Sequence, residues 1–210
     1  MTGRTPTRHR TPAAEVETAV LDAAARLLVD GGPGALSIRR IATEAGVAPM
    51  SIYNRFESKA GVLDALLIRA FGRLGTITRE AEGTDPLDRI RNSARAYRTF
   101  ALTDRGSYAL MFDRTDDEYA PSPAGLEAAA TSFGGLVALV RDAQAAGVLV
   151  DGDPIELAQR LWATIHGAVS LESRAICFAP STDQHFDALV DTVLAGLRPE
   201  HALAGGRVSR

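Results

Sequence analysis

Ser37-Ile38-Arg39-Arg40-Ile41-Ala42-Thr43-Glu44-Ala45-Gly46-Val47-Ala48-Pro49-Met50-Ser51-Ile52-Tyr53-Asn54-Arg55-Phe56 is the stretch on which the fold turns. Ser37 is a good helix N-cap, and Ile38, Ile41 and Ala42 then fall on one face of a short helix that ends near Glu44. Gly46 supplies a position that takes a positive backbone angle, and Val47 leads into a second short segment, Ala48 to Phe56. Pro49 suits the first turn of that segment, where no backbone donor is required. Two short helices joined by a tight glycine turn form a helix-turn-helix, which needs a further helix as its third wall. Val16, Val20, Ala23, Ala24, Leu27 and Leu28 recur at three- and four-residue spacing just upstream and predict that helix over Ala14 to Asp30. Gly31-Gly32-Pro33-Gly34 stops it.

Downstream, Val62, Leu63, Leu66, Leu67, Ala70, Phe71 and Leu74 predict a long helix from near Ser58 toward Ala81. Gly83-Thr84-Asp85-Pro86 breaks it, another helix runs to about Leu102, and a short segment, Tyr108 to Phe112, precedes the polar loop Asp113 to Pro123. Helices over about Ala124 to Ala146 and Pro154 to Phe178 follow, then a last one carrying Phe186, Leu189, Val190, Val193, Leu194 and Leu197. No segment alternates with the period of a strand. The expected fold is all-α with about nine helices. A basic arm (1–13) and a three-helix helix-turn-helix domain (14–57) lead into a larger helical bundle (58–199) and a loose tail (200–210).

The chain has 210 residues, 46% hydrophobic and 23% charged, a globular composition rather than a disordered one. Its longest run without an ionisable residue, Ala128 to Val140, is shorter than the roughly 18 to 20 residues of a membrane span, and no signal peptide is visible, so a cytoplasmic protein is expected. One cysteine, Cys177, excludes an internal disulfide and a cysteine-based zinc cluster. The net charge of -3 is uneven: residues 1–60 hold 8 Lys+Arg and 6 Asp+Glu (+2), the remainder 15 and 20 (-5). Arg4, Arg8 and Arg10 lie in a stretch without acids, the pattern of an arm that meets nucleic acid and equally that of an ordinary loose terminus.

If Ile52 and Phe56 anchor the second short helix, Pro49, Met50, Tyr53 and Asn54 are free to face a groove, and B-DNA's major groove accepts one helix. Tyr53 and Ser37 can meet phosphates through their hydroxyls, and Arg55 and Lys59 by charge. Arg39 is in reach of backbone or a guanine edge, and Ser51 lies beside the reading face. Lys59 is the only lysine, against 22 arginines (23 minus 1).

Residues 36–63 resemble the DNA-binding signature of the TetR family of bacterial transcriptional regulators. Ile41-Ala42, Ala45-Gly46-Val47, Ile52-Tyr53, Phe56, Ser58-Lys59 and Leu63 stand in that family's order and spacing. The resemblance implies a homodimer with one reader per subunit on two half-sites of a palindromic operator, most often as a ligand-responsive repressor. It implies phosphate contacts for Tyr53, Lys59 and Ser37, and base reading from Pro49, Met50 and Asn54. Met50 departs from the small residue frequent at its position, and Asn54 falls at a variable one. Both leave the operator sequence open.

The segment from Pro154 is apolar around most of its circumference, with Ala158, Leu161, Trp162, Ile165 and Val169 on one stripe and Leu157, Ala168 and Leu171 beside it, so it must be buried on more than one side. The resemblance implies dimerisation through residues 154–178 and 183–197. Trp162, His166 and Gly167 also resemble the spacing of a Trp-His-Gly subgroup of TetR C-terminal domains. It further implies a cavity for an unknown small-molecule effector, for which Tyr97, Phe100, Met111, Phe112, Phe133, Val137, Trp162 and His166 are the candidate lining, aromatic walls with a few polar handles. His166, Glu172 and Cys177 form no catalytic spacing, and no phosphate loop, dinucleotide fingerprint or metal-ligand cluster is present, so no enzyme, cofactor or metal is expected. Two readings compete with a repressor. One is a helical enzyme or small-molecule carrier using its N-terminal part for protein contacts, and the other an activator or ligand-independent regulator.

Overall fold

The computed structural model describes residues 13–113 and 119–199, and the expectations for the basic arm and the tail after residue 199 lie outside them. Among the described residues there are nine α-helices, one short 3-10 turn (Pro33–Ala35) and no strand. The chain forms two compact units: one holds residues up to Leu66 together with Tyr119 and Ala120, the other Leu67–Asp113 and residues from Pro121 on.

In the first unit α1 (Ala13–Gly31), α2 (Ile38–Ala45) and α3 (Pro49–Phe56) pack on one another and on the first two turns of α4 (Lys59–Arg79). Val20, Ala23 and Ala24 of α1, Ile41 of α2, Ile52 of α3 and Val62 of α4 have no solvent exposure at all. Each large apolar side chain so buried contributes roughly 1.5–3 kcal/mol. Ser37 caps α2 as its sequence position predicts, accepting from the Arg40 amide at 3.2 Å. Gly46 closes the same helix in the left-handed region (φ 68°), its amide and that of Val47 turning back onto Ala42 and Thr43. A second tight turn joins α3 to α4. Glu57 takes a positive φ of 63°, the Ser58 hydroxyl accepts from the Gly61 amide at 3.1 Å, and Gly61 lies against the end of α3. A methyl group on Gly61 would fall 1.9 Å from the Phe56 carbonyl oxygen, so only glycine permits this approach. Tyr119 returns to this unit from far along the chain, its hydroxyl donating to Asp64 on α4 at 3.1 Å.

In the second unit α5 (Pro86–Thr103) is the hub, packed against α6 (Arg105–Phe112), α7 (Pro123–Ala145), α8 (Pro154–Ser173) and α9 (Thr182–Gly196). Asp85, Ser122 and Asp153, each followed by proline at the first helical position, cap α5, α7 and α8. Arg98 of α5 joins three helices: its guanidinium donates both Nε and Nη2 to Glu172 at the end of α8 (2.7 and 2.6 Å) and Nη2 to Asp183 at the start of α9 (2.6 Å).

Two expectations need correction. α8 ends at Ser173, not Phe178, because Ala175 enters the left-handed region (φ 56°) and the Ile176 amide turns back to the Leu171 carbonyl. Apolar residues continue through this reversal and no glycine marks it, so periodicity runs past the true end. The expectation that no segment could pass for a membrane span fails for α7, which is 23 residues long and holds an 18-residue window with a mean hydropathy of 1.3. Counting uncharged runs missed it because Glu127, Arg141 and Asp142 interrupt the helix near its ends. One such helix is weak evidence of a membrane, and Val137, Leu139, Val140 and Ala143 of α7 are buried in the bundle core.

Candidate nucleic-acid interface and effector cavity

With Ile52 and Phe56 buried, α3 turns its other side outward: Pro49, Met50, Tyr53 and Asn54 are exposed, Met50 by 65% and Tyr53 by 47%, and Ser51 is half-buried. Met50 and Tyr53 together form a partly apolar patch one turn apart on the exposed side of this two-turn helix. Ser37 is exposed at the start of α2 and uses only a lone pair in its cap, so its O–H is left to donate outward. Arg39 and Arg40 are exposed beside it. Lys59, half-buried, is the first residue of α4. Arg55 is exposed but engaged, donating through Nη2 to Glu17 of α1. Surface pairs of this kind contribute on the order of 0–1 kcal/mol and are readily exchanged.

The second unit holds a cavity of about 300 Å³ walled by α4, α5, α6, α7 and α8. Of the candidate residues, Tyr97, Phe112, Phe133 and Trp162 line it. Phe100 and Val137 lie in the core, Met111 packs against that core, and His166 lies behind the aromatic wall. Phe71, Leu74 and Thr78 of α4, Ser93 and Ala94 of α5, Ser132 of α7 and Gln159 of α8 also line the cavity without having been singled out. The three α4 residues share one face by spacing, but that stripe reads equally as core.

The aromatic wall is continuous, with Phe71 to Phe112 at 5.9 Å, Phe112 to Trp162 at 6.0 Å and Trp162 to Phe133 at 6.1 Å between ring centres. His166 Nδ1 stands 2.8 Å from the Tyr97 hydroxyl oxygen and 3.1 Å from that of Tyr108, within hydrogen-bond distance of both phenols. Burial, aided by Arg174 and opposed by Asp113, holds the His166 pKa below its ordinary 6.5, and burial pushes both phenols above theirs. Among the described residues no cluster of His, Cys, Asp or Glu could hold a metal ion.

Comparison with known proteins bears on both units. Residues 20–66 match the family profile described as "Bacterial regulatory proteins, tetR family", and residues 90–193 match "Tetracyclin repressor-like, C-terminal domain". The HTH-type transcriptional regulator Rv1816 of Mycobacterium tuberculosis is 28% identical over 145 residues, 67% of this chain and 61% of its own length. The HTH-type transcriptional activator FasR of Mycolicibacterium smegmatis is 32% identical over 117 residues, 55% of this chain and 52% of its own. The chain thus spans little more than half the length of these relatives. The solved structure of a protein of unknown function from Rhodococcus sp. RHA1 superposes with a TM-score of 0.79 at 30% identity, covering 93% of this chain and all of that one.

Proposed function

The chain belongs to the TetR family of bacterial transcriptional regulators, and from that premise we propose that it binds a palindromic operator as a homodimer and releases it on capturing a small molecule. The observation that carries the DNA half is the outward row Pro49, Met50, Tyr53 and Asn54 between Ser37 and Lys59. Met50, Asn54 and Pro49 read base edges. Tyr53, Ser37 and Lys59 hold phosphates, Arg39 reaches backbone or a guanine edge, Ser51 supports the face, and Arg55 exchanges Glu17 for a phosphate. Two such readers sit on half-sites about 34 Å, or a multiple of it, apart.

A second copy docks through α8 and α9. Support comes from Ala163, Gly167 and Leu171, exposed along one side of α8, and from Ala188 and Thr192 of α9, small residues that let helices approach. The cavity holds the effector, and binding can shift the DNA-bound state only by the effector's difference in affinity for the two states. We assign the chain no reaction of its own, and a DNA partner places it in the cytoplasm. An activator is the second reading, favoured by the likeness to the transcriptional activator FasR.

Selection of bound sequences from a random DNA pool with the purified protein is the test. A two-fold symmetric motif is expected; recovery of no motif would overturn the proposal. The position of that motif relative to the promoter, over it or upstream of it, separates repressor from activator.

A further inference from the structure

The cavity is unequal along its length. Four lining residues carry hydroxyls, Thr78, Ser93, Tyr97 and Ser132, that of Tyr97 being paired with His166, while Phe71, Phe112 and Trp162 belong to the continuous aromatic wall. Phe71 and Thr78 are seven residues apart on α4, about 10 Å along the axis, so the Phe71 ring and the Thr78 hydroxyl lie at different levels. Gly75, between them on α4, lies against Ser132: a methyl group on it would come within 3.3 Å of the Ser132 α-carbon, which places Ser132 near that level.

Ser93 is the sharpest feature. It is the one buried polar residue among those described, 4% exposed, and its hydroxyl forms no hydrogen bond, whereas Thr78 spends its proton on the Leu74 carbonyl at 2.7 Å. No side-chain oxygen sealed from solvent lacks a partner, so the Ser93 oxygen keeps its accessible surface on the cavity it lines. A hydroxyl withdrawn from bulk water and left unpaired in an apolar surround is costly, and a ligand oxygen at this point would satisfy it. No Asp, Glu, Lys, Arg or His stands in the lining, so an ionised ligand would enter with its charge uncompensated. A volume of about 300 Å³ is at the small end of ligand pockets and suits one or two rings.

Resting on the reading of this cavity as the effector site, we propose that the effector is an uncharged molecule with a compact ring-built apolar body and a single hydroxyl or carbonyl that pairs with Ser93. The body lies against Phe71, Phe112 and Trp162, and the oxygen meets the unpaired hydroxyl of α5.

Trp162 is the only tryptophan in the chain, so its fluorescence reports occupancy of this cavity without background. The probes are 4-cyclohexylcyclohexanol, 4-cyclohexylcyclohexanecarboxylate and 4-cyclohexylcyclohexylammonium, one skeleton in neutral, anionic and cationic form, titrated into the full chain. The alcohol is expected to bind at least about tenfold more tightly than either ion, a difference of about 1.4 kcal/mol. Ser93→Ala, which leaves the shape of the wall nearly unchanged, is expected to weaken the alcohol about fivefold and the ions little. Ala129→Phe, which fills the cavity from α7, is expected to abolish binding of the alcohol. If Ala129→Phe abolishes binding but an ion binds as tightly as the alcohol, or Ser93→Ala leaves the alcohol unaffected, the assigned class is wrong and the effector site stands. If no probe binds, or if Ala129→Phe leaves the alcohol's affinity intact, the effector site falls with it.

Discussion

Lys59 and Tyr53 are the polar residues assigned to phosphate, the one at the start of α4 and the other on the exposed side of α3. Lys59→Ala is therefore expected to weaken binding to all DNA sequences and to lower the slope of log affinity against log salt by about 1 per subunit. Titrations at several salt concentrations measure this, and an unchanged slope would remove Lys59 from the phosphate contacts. Tyr53→Phe is expected to act alike on all sequences without changing the slope, whereas Met50 and Asn54 substitutions alter sequence preference. His166 belongs to another class, a half-buried imidazole against two phenols. Its pKa is lowered in the folded state, chiefly by burial, so the unfolded chain binds the proton first. The stability His166 contributes is complete above its ordinary pKa of 6.5 and is lost as pH falls from there toward the lowered folded value. His166→Gln is expected to flatten that part of the pH–stability curve, measured by denaturant unfolding. Glu172 beside Arg98 and Asp187 beside Arg95, two of the carboxylates with lowered pKa, lose their contribution only as pH falls below the ordinary carboxylate values, so the two windows separate.

Among the elements, the α3–α4 turn is the most constrained. Two residues reverse the chain, one of them Glu57 at positive φ, and Gly61 gives up its side chain so that α4 starts against the carbonyl of Phe56. Gly61→Ala is expected to destabilise the first unit by about 2 kcal/mol or more, because the colliding atom is backbone and cannot rotate away. Calorimetry reads the loss, and an unshifted transition would deny the close approach. The end of α8 carries the opposite signature, with Ala175 held where glycine is usual, so Ala175→Gly is expected to be neutral or stabilising by up to about 1 kcal/mol. Tyr119, seven residues after the cavity-lining Phe112 in sequence, donates its hydroxyl to Asp64 of α4. Tyr119→Phe is expected to leave effector affinity in place and to reduce the effector's change in operator affinity, read by operator titration with and without ligand. An unaltered change would exclude this route.

For the molecule as a whole, the bundle is tied by charge as well as by apolar packing. Arg98 and Glu172, 17% and 14% exposed, form a two-pronged pair that Asp183 extends to α9. Arg98→Met would leave Glu172 without its partner and is expected to cost about 2 kcal/mol or more, whereas breaking an exposed pair such as Arg89 with Asp142 costs little. The net charge of -3 conceals this division of labour, with the acids of the second unit largely answering its own arginines. The all-α class, the helix-turn-helix and the outward residues of α3 were legible in the sequence because they rest on local rules. A serine cap, a glycine turn and three- and four-residue spacing specify which side of a short helix is buried, whatever it is buried against. The cavity was legible only in part. Tyr97, Phe112, Phe133 and Trp162 were expected as its aromatic walls, but Phe71, which reads as an ordinary core residue of the α4 stripe, and Ser93 and Ser132 join them only when α4, α5 and α7 come together, and Phe100 and Val137 belong to the packed core. Nothing local distinguishes an apolar side chain that fills space from one that borders it. That difference is the volume left over when helices distant in sequence are brought together, and so the tertiary structure alone decides it.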